Sequence, residues 1–132
     1  MARIQSNILQ KRRIAMRYQR NLAGTHGVRL PVEREDVKNV YWMYHVVLEG
    51  EWEGRRDEVR EALSRKGIET RESFVPFDQQ ETFIAQGLVR RGQCPVAEVI
   101  GANGFYVPSG PRLDDSGIDF VSEQLQTILR GS

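Results

Sequence analysis

The side chains with a claim on covalent or acid-base chemistry are few: Lys11, Lys38, Lys66, His26, His45 and Cys94. A Schiff-base lysine needs desolvation or a cationic neighbour to become nucleophilic. Lys11 and Lys66 fall on expected helix surfaces among other charges, and Lys38 falls in a charged loop, so solvated surface is the favoured reading of all three. Cys94 has no base at recognisable spacing and reads as a small half-buried residue beside Pro95. His26 sits in a loop with no cysteine or second histidine at metal-ligand spacing. The sequence holds no Gly-rich phosphate loop, no zinc-type Cys or His pair and no Gly-x-Ser-x-Gly elbow. No catalytic residue and no metal ligand is assigned from spacing.

The elements that would position any site are easier to read. A chain of 132 residues and 15.2 kDa fits one domain, expected to span residues 1–132. Nineteen Lys and Arg against eighteen Asp and Glu leave a charge of +1, which offers nothing to attract nucleic acid or an anionic membrane. The one basic cluster, Lys11-Arg12-Arg13 with Arg17 and Arg20, has helical spacing and reads as a solvated face rather than an RNA-binding arm. A single cysteine excludes an internal disulfide and suits a reducing cytoplasm, the expected location. No apolar stretch is long enough for a membrane span, and the N-terminus lacks a hydrophobic signal core.

The segment Val40–Leu48 is the strongest strand pattern, with Val40, Trp42, Tyr44, Val46 and Leu48 on one face and Tyr41, Met43, His45 and Val47 on the other. Neither face is polar, so both need cover. Ile4 to Leu22 has the period of an amphipathic helix, with weak first turns and a stop at Gly24. Residues 24–39 read as an extended surface connection. A helix from about Arg56 to Lys66 ends at Gly67, and Ile68 to about Val75 is extended. Residues 76–92 read as a structured loop with one helical turn near Phe83 and Leu88. Pro95 opens a short helix closed by Asn103-Gly104, Phe105-Tyr106-Val107 is a strand ended by Pro108, and Asp114, Asp115 or Ser116 caps a last amphipathic helix. The expected fold is α/β, a two-layer sandwich with a small mixed or antiparallel three-stranded sheet and about four helices, the third strand inserted antiparallel between the first two.

Five ordered blocks carry a resemblance. They are Tyr41-Trp42-Met43-Tyr44; Arg56-Asp57-Glu58 with Leu63 and Gly67 to Arg71; Phe74 to Gln80; Cys94 to Glu98; and Tyr106 to Gly110. Together they resemble the C-terminal part of the DegT/StrS-type sugar aminotransferases, and Lys11 to Ala15 with Tyr18 looks like the helix entering that domain. The resemblance implies the small domain of a fold-type I aminotransferase. It also implies that the chain is similar to the last third of such an enzyme, with Met1 near the start of the entering helix. Those enzymes use pyridoxal phosphate to aminate a keto-sugar carried on a nucleotide, and the cofactor's ligands belong to the large N-terminal domain. No cofactor is therefore expected on this chain alone.

By the same resemblance Arg71, Asp78, Gln80 and Ser109 are the substrate-binding candidates. Asp78 stands where the family usually has histidine or asparagine, and a carboxylate there would repel a sugar-nucleotide phosphate. The expected role is that of a stand-alone part, non-catalytic by itself, acting as a homo-oligomer or with a protein that supplies the large domain. The alternatives are an accessory subunit completing a separately encoded aminotransferase, or a small nucleotide-sugar binding module. Tyr41, Met43 and Val47, on the second strand face, are the expected interface.

Overall fold

A computed structural model describes residues 2–131. Helix α1 (Ala2–Leu22) is followed by strands β1 (Val28–Arg29) and β2 (Tyr44–Leu48), helix α2 (Arg56–Arg65) and strand β3 (Arg71–Glu72). Helices α3 (Glu81–Ala85) and α4 (Pro95–Asn103), strand β4 (Gly104–Val107) and helix α5 (Asp115–Leu129) complete the order. The sheet runs β1-β2-β4-β3, and every neighbouring pair is antiparallel. The insertion of β4 between β2 and β3 is the expected one, and it leaves β2 and β3 pointing the same way. It follows the resemblance to the aminotransferase fold, with one strand and one helix more than expected. The extra strand is Val28–Arg29, paired through Val28 with Leu48. Two residues carry no period, so such a strand exists only because β2 supplies its edge.

The strand expected over 40–48 begins only at Tyr44. Tyr41 has a φ of 48°, a left-handed conformation that costs a bulky residue free energy and ends the alternation. From Tyr44 onward the pattern holds: Tyr44, Val46 and Leu48 are buried, as are Phe105 and Val107 beside them on β4. Their cluster includes Ile14, Ala15, Tyr18 and Leu22 of α1, Val59 and Leu63 of α2, and Ile118, Val121, Leu125 and Leu129 of α5. Burial of those helical stripes is the main source of stability. Helix α1 thus joins α2 and α5 on one side of the sheet.

Local signals place the ends. Gly67, at φ 77°, closes α2 while the Gly67 and Ile68 amides donate to Ser64 and Leu63 carbonyls. Asp114 caps α5, its Oδ1 accepting from the Gly117 amide at 2.8 Å. The basic face of α1 is not simply solvated. Arg12 grips both carboxylate oxygens of Glu33 at 2.7 and 2.9 Å, tying the 31–40 connection down. Arg17 pairs with Asp115 and Asp119, and Arg13 with Asp115, on α5. These arginines are occupied by this chain's own acids.

Candidate functional site

Beside β4 and the edge strand β3 lies a hollow of about 430 Å³ lined by Lys11, Trp42, Glu69, Arg71, Tyr106 and Ser109 among others. Each comes from a different local cause. Lys11 projects from α1, and its ammonium donates to the Ser109 carbonyl at 2.6 Å. Burial pulls the Lys11 pKa below the ordinary lysine value. Arg71 enters from β3, opposite Tyr106 in the register. Trp42 is thrown outward by the turn at Tyr41, whose own ring turns inward beneath Arg12, with the guanidinium carbon 5.8 Å from the ring centre. The Tyr41 amide is fixed by the Asn39 side chain at 2.8 Å.

Trp42 remains 67% exposed and Phe74 64% exposed, yet their rings stack with centroids 6.3 Å apart. Phe74 in turn meets Tyr106 at 5.7 Å, and Tyr106 meets His45 at 4.7 Å. This row of rings runs from the hollow over the sheet's second face. His45 also shares a hydrogen bond with Ser73, an approach that Gly104 permits because a Cβ there would overlap both side chains. Burial lowers the pKa of His45.

The four substrate candidates do not converge. Arg71 and Ser109 border the hollow, but Ser109 is buried and its hydroxyl accepts from the Tyr44 amide at 3.3 Å, a structural duty. Asp78 is fully buried, its Oδ2 accepting from the Cys94 amide at 2.7 Å, so it cannot face a sugar-nucleotide phosphate. Gln80 is exposed and donates to the Val75 carbonyl within its own loop. The interface candidates need a similar correction. Tyr41 and Val47 are buried, only 3% and 7% exposed, and Met43 is half-buried. Because Tyr41 interrupts the strand, Trp42 and Val40 are the exposed apolar residues there. Trp42 and Lys11 were not read from the sequence as site residues; an aromatic beside the Arg71 block is the nearest signal for Trp42.

Lys38 and Lys66 are exposed, and the amine of Lys11 is committed to a carbonyl. Among the described residues no three His, Cys, Asp or Glu side chains gather to hold a metal, and no helix is long and apolar enough to cross a membrane.

The fold is that of part of a sugar aminotransferase. It superposes on Streptomyces venezuelae DesV, a structure in complex with a ketimine intermediate, with a TM-score of 0.86 and 27% identity, covering 97% of this chain and 33% of that one. Residues 1–126 match the DegT/DnrJ/EryC1/StrS aminotransferase family, and the chain belongs to that family. It is similar to GDP-perosamine synthase of Escherichia coli O157:H7, 30% identical over 118 residues, which cover 89% of this chain and 30% of the relative. It is also similar to the dTDP-3-amino-3,4,6-trideoxy-alpha-D-glucose transaminase of Streptomyces venezuelae, 31% identical over 102 residues, 76% of this chain and 25% of that enzyme. The chain thus spans about a third or less of the length of the relatives it matches.

Proposed function

We propose that these 132 residues form a single docking domain, the C-terminal part of a nucleotide-sugar aminotransferase, which is not catalytic alone and acts in the cytoplasm by associating with a second copy of itself. The observation that carries this reading is the pair Trp42 and Phe74. Both rings are about two-thirds exposed and stacked on each other, a costly arrangement in water that a protein contact would relieve. Val40, also exposed, borders a second hollow together with Trp42. The strained turn at Tyr41 holds Trp42 outward, which supports a contact role over an accident of folding.

A second reading is an accessory part that completes a cofactor-bearing domain of the family. Nucleotide-sugar binding by the chain alone has less support, because Asp78 and Gln80 lie away from Arg71 and Lys11.

Sedimentation equilibrium over a wide concentration range tests the proposal. Self-association that Trp42→Lys abolishes without loss of folding is expected. A monomeric mass throughout overturns the homo-oligomer, and association gained on mixing with a family large domain would then support the accessory reading. An aldimine band that borohydride removes, with turnover of a keto-sugar nucleotide, would overturn the non-catalytic part.

A further inference from the structure

The turn at Phe77–Gln79 is fastened to the start of α4 by one buried side chain. Asp78 has no exposed surface, and its Oδ2 takes the Cys94 amide at 2.7 Å. This supplies a cap in trans, since Cys94 stands at the N-cap of α4 and makes no side-chain bond there. The second oxygen, Oδ1, is buried and has no hydrogen-bond partner among the described residues. Such an orphan is rare because an unsatisfied buried oxygen is costly. The acid nearest this carboxyl is Glu98: it stands four residues after Cys94, on the same face of α4, and interacts with Asp78. Two carboxyl groups hydrogen-bond to each other only when one of them carries a proton.

We infer that Asp78 and Glu98 share one proton, donated by Glu98 to Asp78 Oδ1, and so form a pH-sensitive latch between the 77–79 turn and α4. The groups facing the pair allow it. Helix α4 contributes Glu98 itself and the Cys94 amide, and the connection before it contributes only backbone at Gly92 and Gln93. Among the described residues neither carboxyl has a salt-bridge partner, and Arg91 pairs with Glu81 instead. With no cation to stabilise two charges, one proton is the economical solution.

The two acids are pushed apart. Burial works against charge on Asp78, but the Cys94 amide, the Glu98 bond and further backbone donors outweigh it and hold the carboxyl below its ordinary value. The bond to Asp78, then burial, then the adjacent negative charge hold Glu98 above its ordinary value. The raised group contributes stability below its unfolded pKa, lost as pH rises through the folded one. The lowered group contributes stability above its unfolded pKa, lost as pH falls through the folded one. The latch is therefore closed in the window between Asp78 and Glu98, and loosens on the alkaline side when Glu98 ionises. The loop it restrains carries Phe74 and Val75, both exposed, so Glu98 sets how firmly that apolar surface is presented.

Carboxyl carbon NMR titration of the 132-residue chain reads the pair directly. Glu98 is expected to titrate above an ordinary glutamate, and to fall back toward it in Asp78→Asn. In parallel, the Cys94 amide, corrected for intrinsic exchange, should lose protection severalfold between about pH 5 and about pH 8. The same amide should keep a flat profile in Glu98→Gln, whose amide donates at every pH. An ordinary Glu98 titration in the wild-type chain overturns the latch, whether or not the variants fold. One shared exchange profile for wild type and Glu98→Gln also overturns it.

Discussion

Tyr18 of α1 and Tyr44 of β2 stack with ring centroids 4.8 Å apart and planes 24° from parallel, both fully buried, yet only one hydroxyl has a partner. Tyr18 donates to the Pro108 carbonyl at 2.7 Å, whereas the Tyr44 hydroxyl is buried without one. Burial pushes both phenols far above their ordinary pKa, so both remain neutral at working pH. The stack pins the helix to the sheet beside the hollow that Lys11 and Ser109 border.

The unequal hydroxyls predict unequal substitutions. Tyr18→Phe removes a made hydrogen bond and strands the Pro108 carbonyl, so urea unfolding should show a loss of about 1–2 kcal/mol. Tyr44→Phe removes an unsatisfied group and should be neutral or stabilising by up to about 1 kcal/mol. Equal losses would show that Tyr44 finds a donor or acceptor in solution.

Gly27 has a φ of 81°, and a Cβ there would overlap Trp52 Cδ1. Trp52 is held by burial and by Arg55, whose guanidinium carbon lies 4.0 Å from its ring centre, so the indole cannot step aside. Gly27→Ala should cost about 2–4 kcal/mol, from backbone strain plus overpacking. Gly24→Ala, with φ 70° and open space around the new methyl, should cost only about 1 kcal/mol. Thermal unfolding of the two variants side by side separates the terms.

Asp119 links the two long helices, accepting from Arg17 at 2.6 and 2.7 Å and from Asn21 at 2.7 Å. Arg17 first and Asn21 second lower its carboxyl to about 2. A depressed carboxylate stabilises the fold above its unfolded pKa, and that contribution disappears as pH falls through the folded value. The thermal midpoint should therefore drop on acidification from about pH 4 to about pH 2, and Asp119→Asn should flatten part of the drop. An unchanged acid profile in the variant would assign the loss to other carboxylates.

Trp42 reports on the apolar surface. In a Trp52→Phe background it should be strongly quenched by acrylamide in dilute solution, because it is 67% exposed, and shielded progressively as concentration rises. Quenching that stays constant at every concentration would place the self-contact elsewhere.

The sequence by itself determined the long elements and their order. Ile14, Tyr18 and Leu22, or Ile118, Val121, Leu125 and Leu129, are one helix face by spacing alone, and Gly67 and Asp114 mark ends through local backbone chemistry. The aminotransferase resemblance was legible because its five blocks are short and ordered. Of the four substrate candidates it implied, the structure places Arg71 and Ser109 beside one hollow, with the hydroxyl of Ser109 serving the Tyr44 amide.

Tertiary structure decided what no local pattern encodes. Strand β1 is two residues long and exists only as a partner of β2. Alternation through Val40–Leu48 predicts Tyr41 exposed with Val47, but a left-handed residue reverses which ring faces water, burying Tyr41 and exposing Trp42. Asp78 reads as a surface acid in a polar loop. It is buried where the Cys94 amide at the start of α4, sixteen residues away in the chain, meets its Oδ2. Hydrogen bonds between distant segments depend on how the chain packs, and residue type and spacing do not specify that packing.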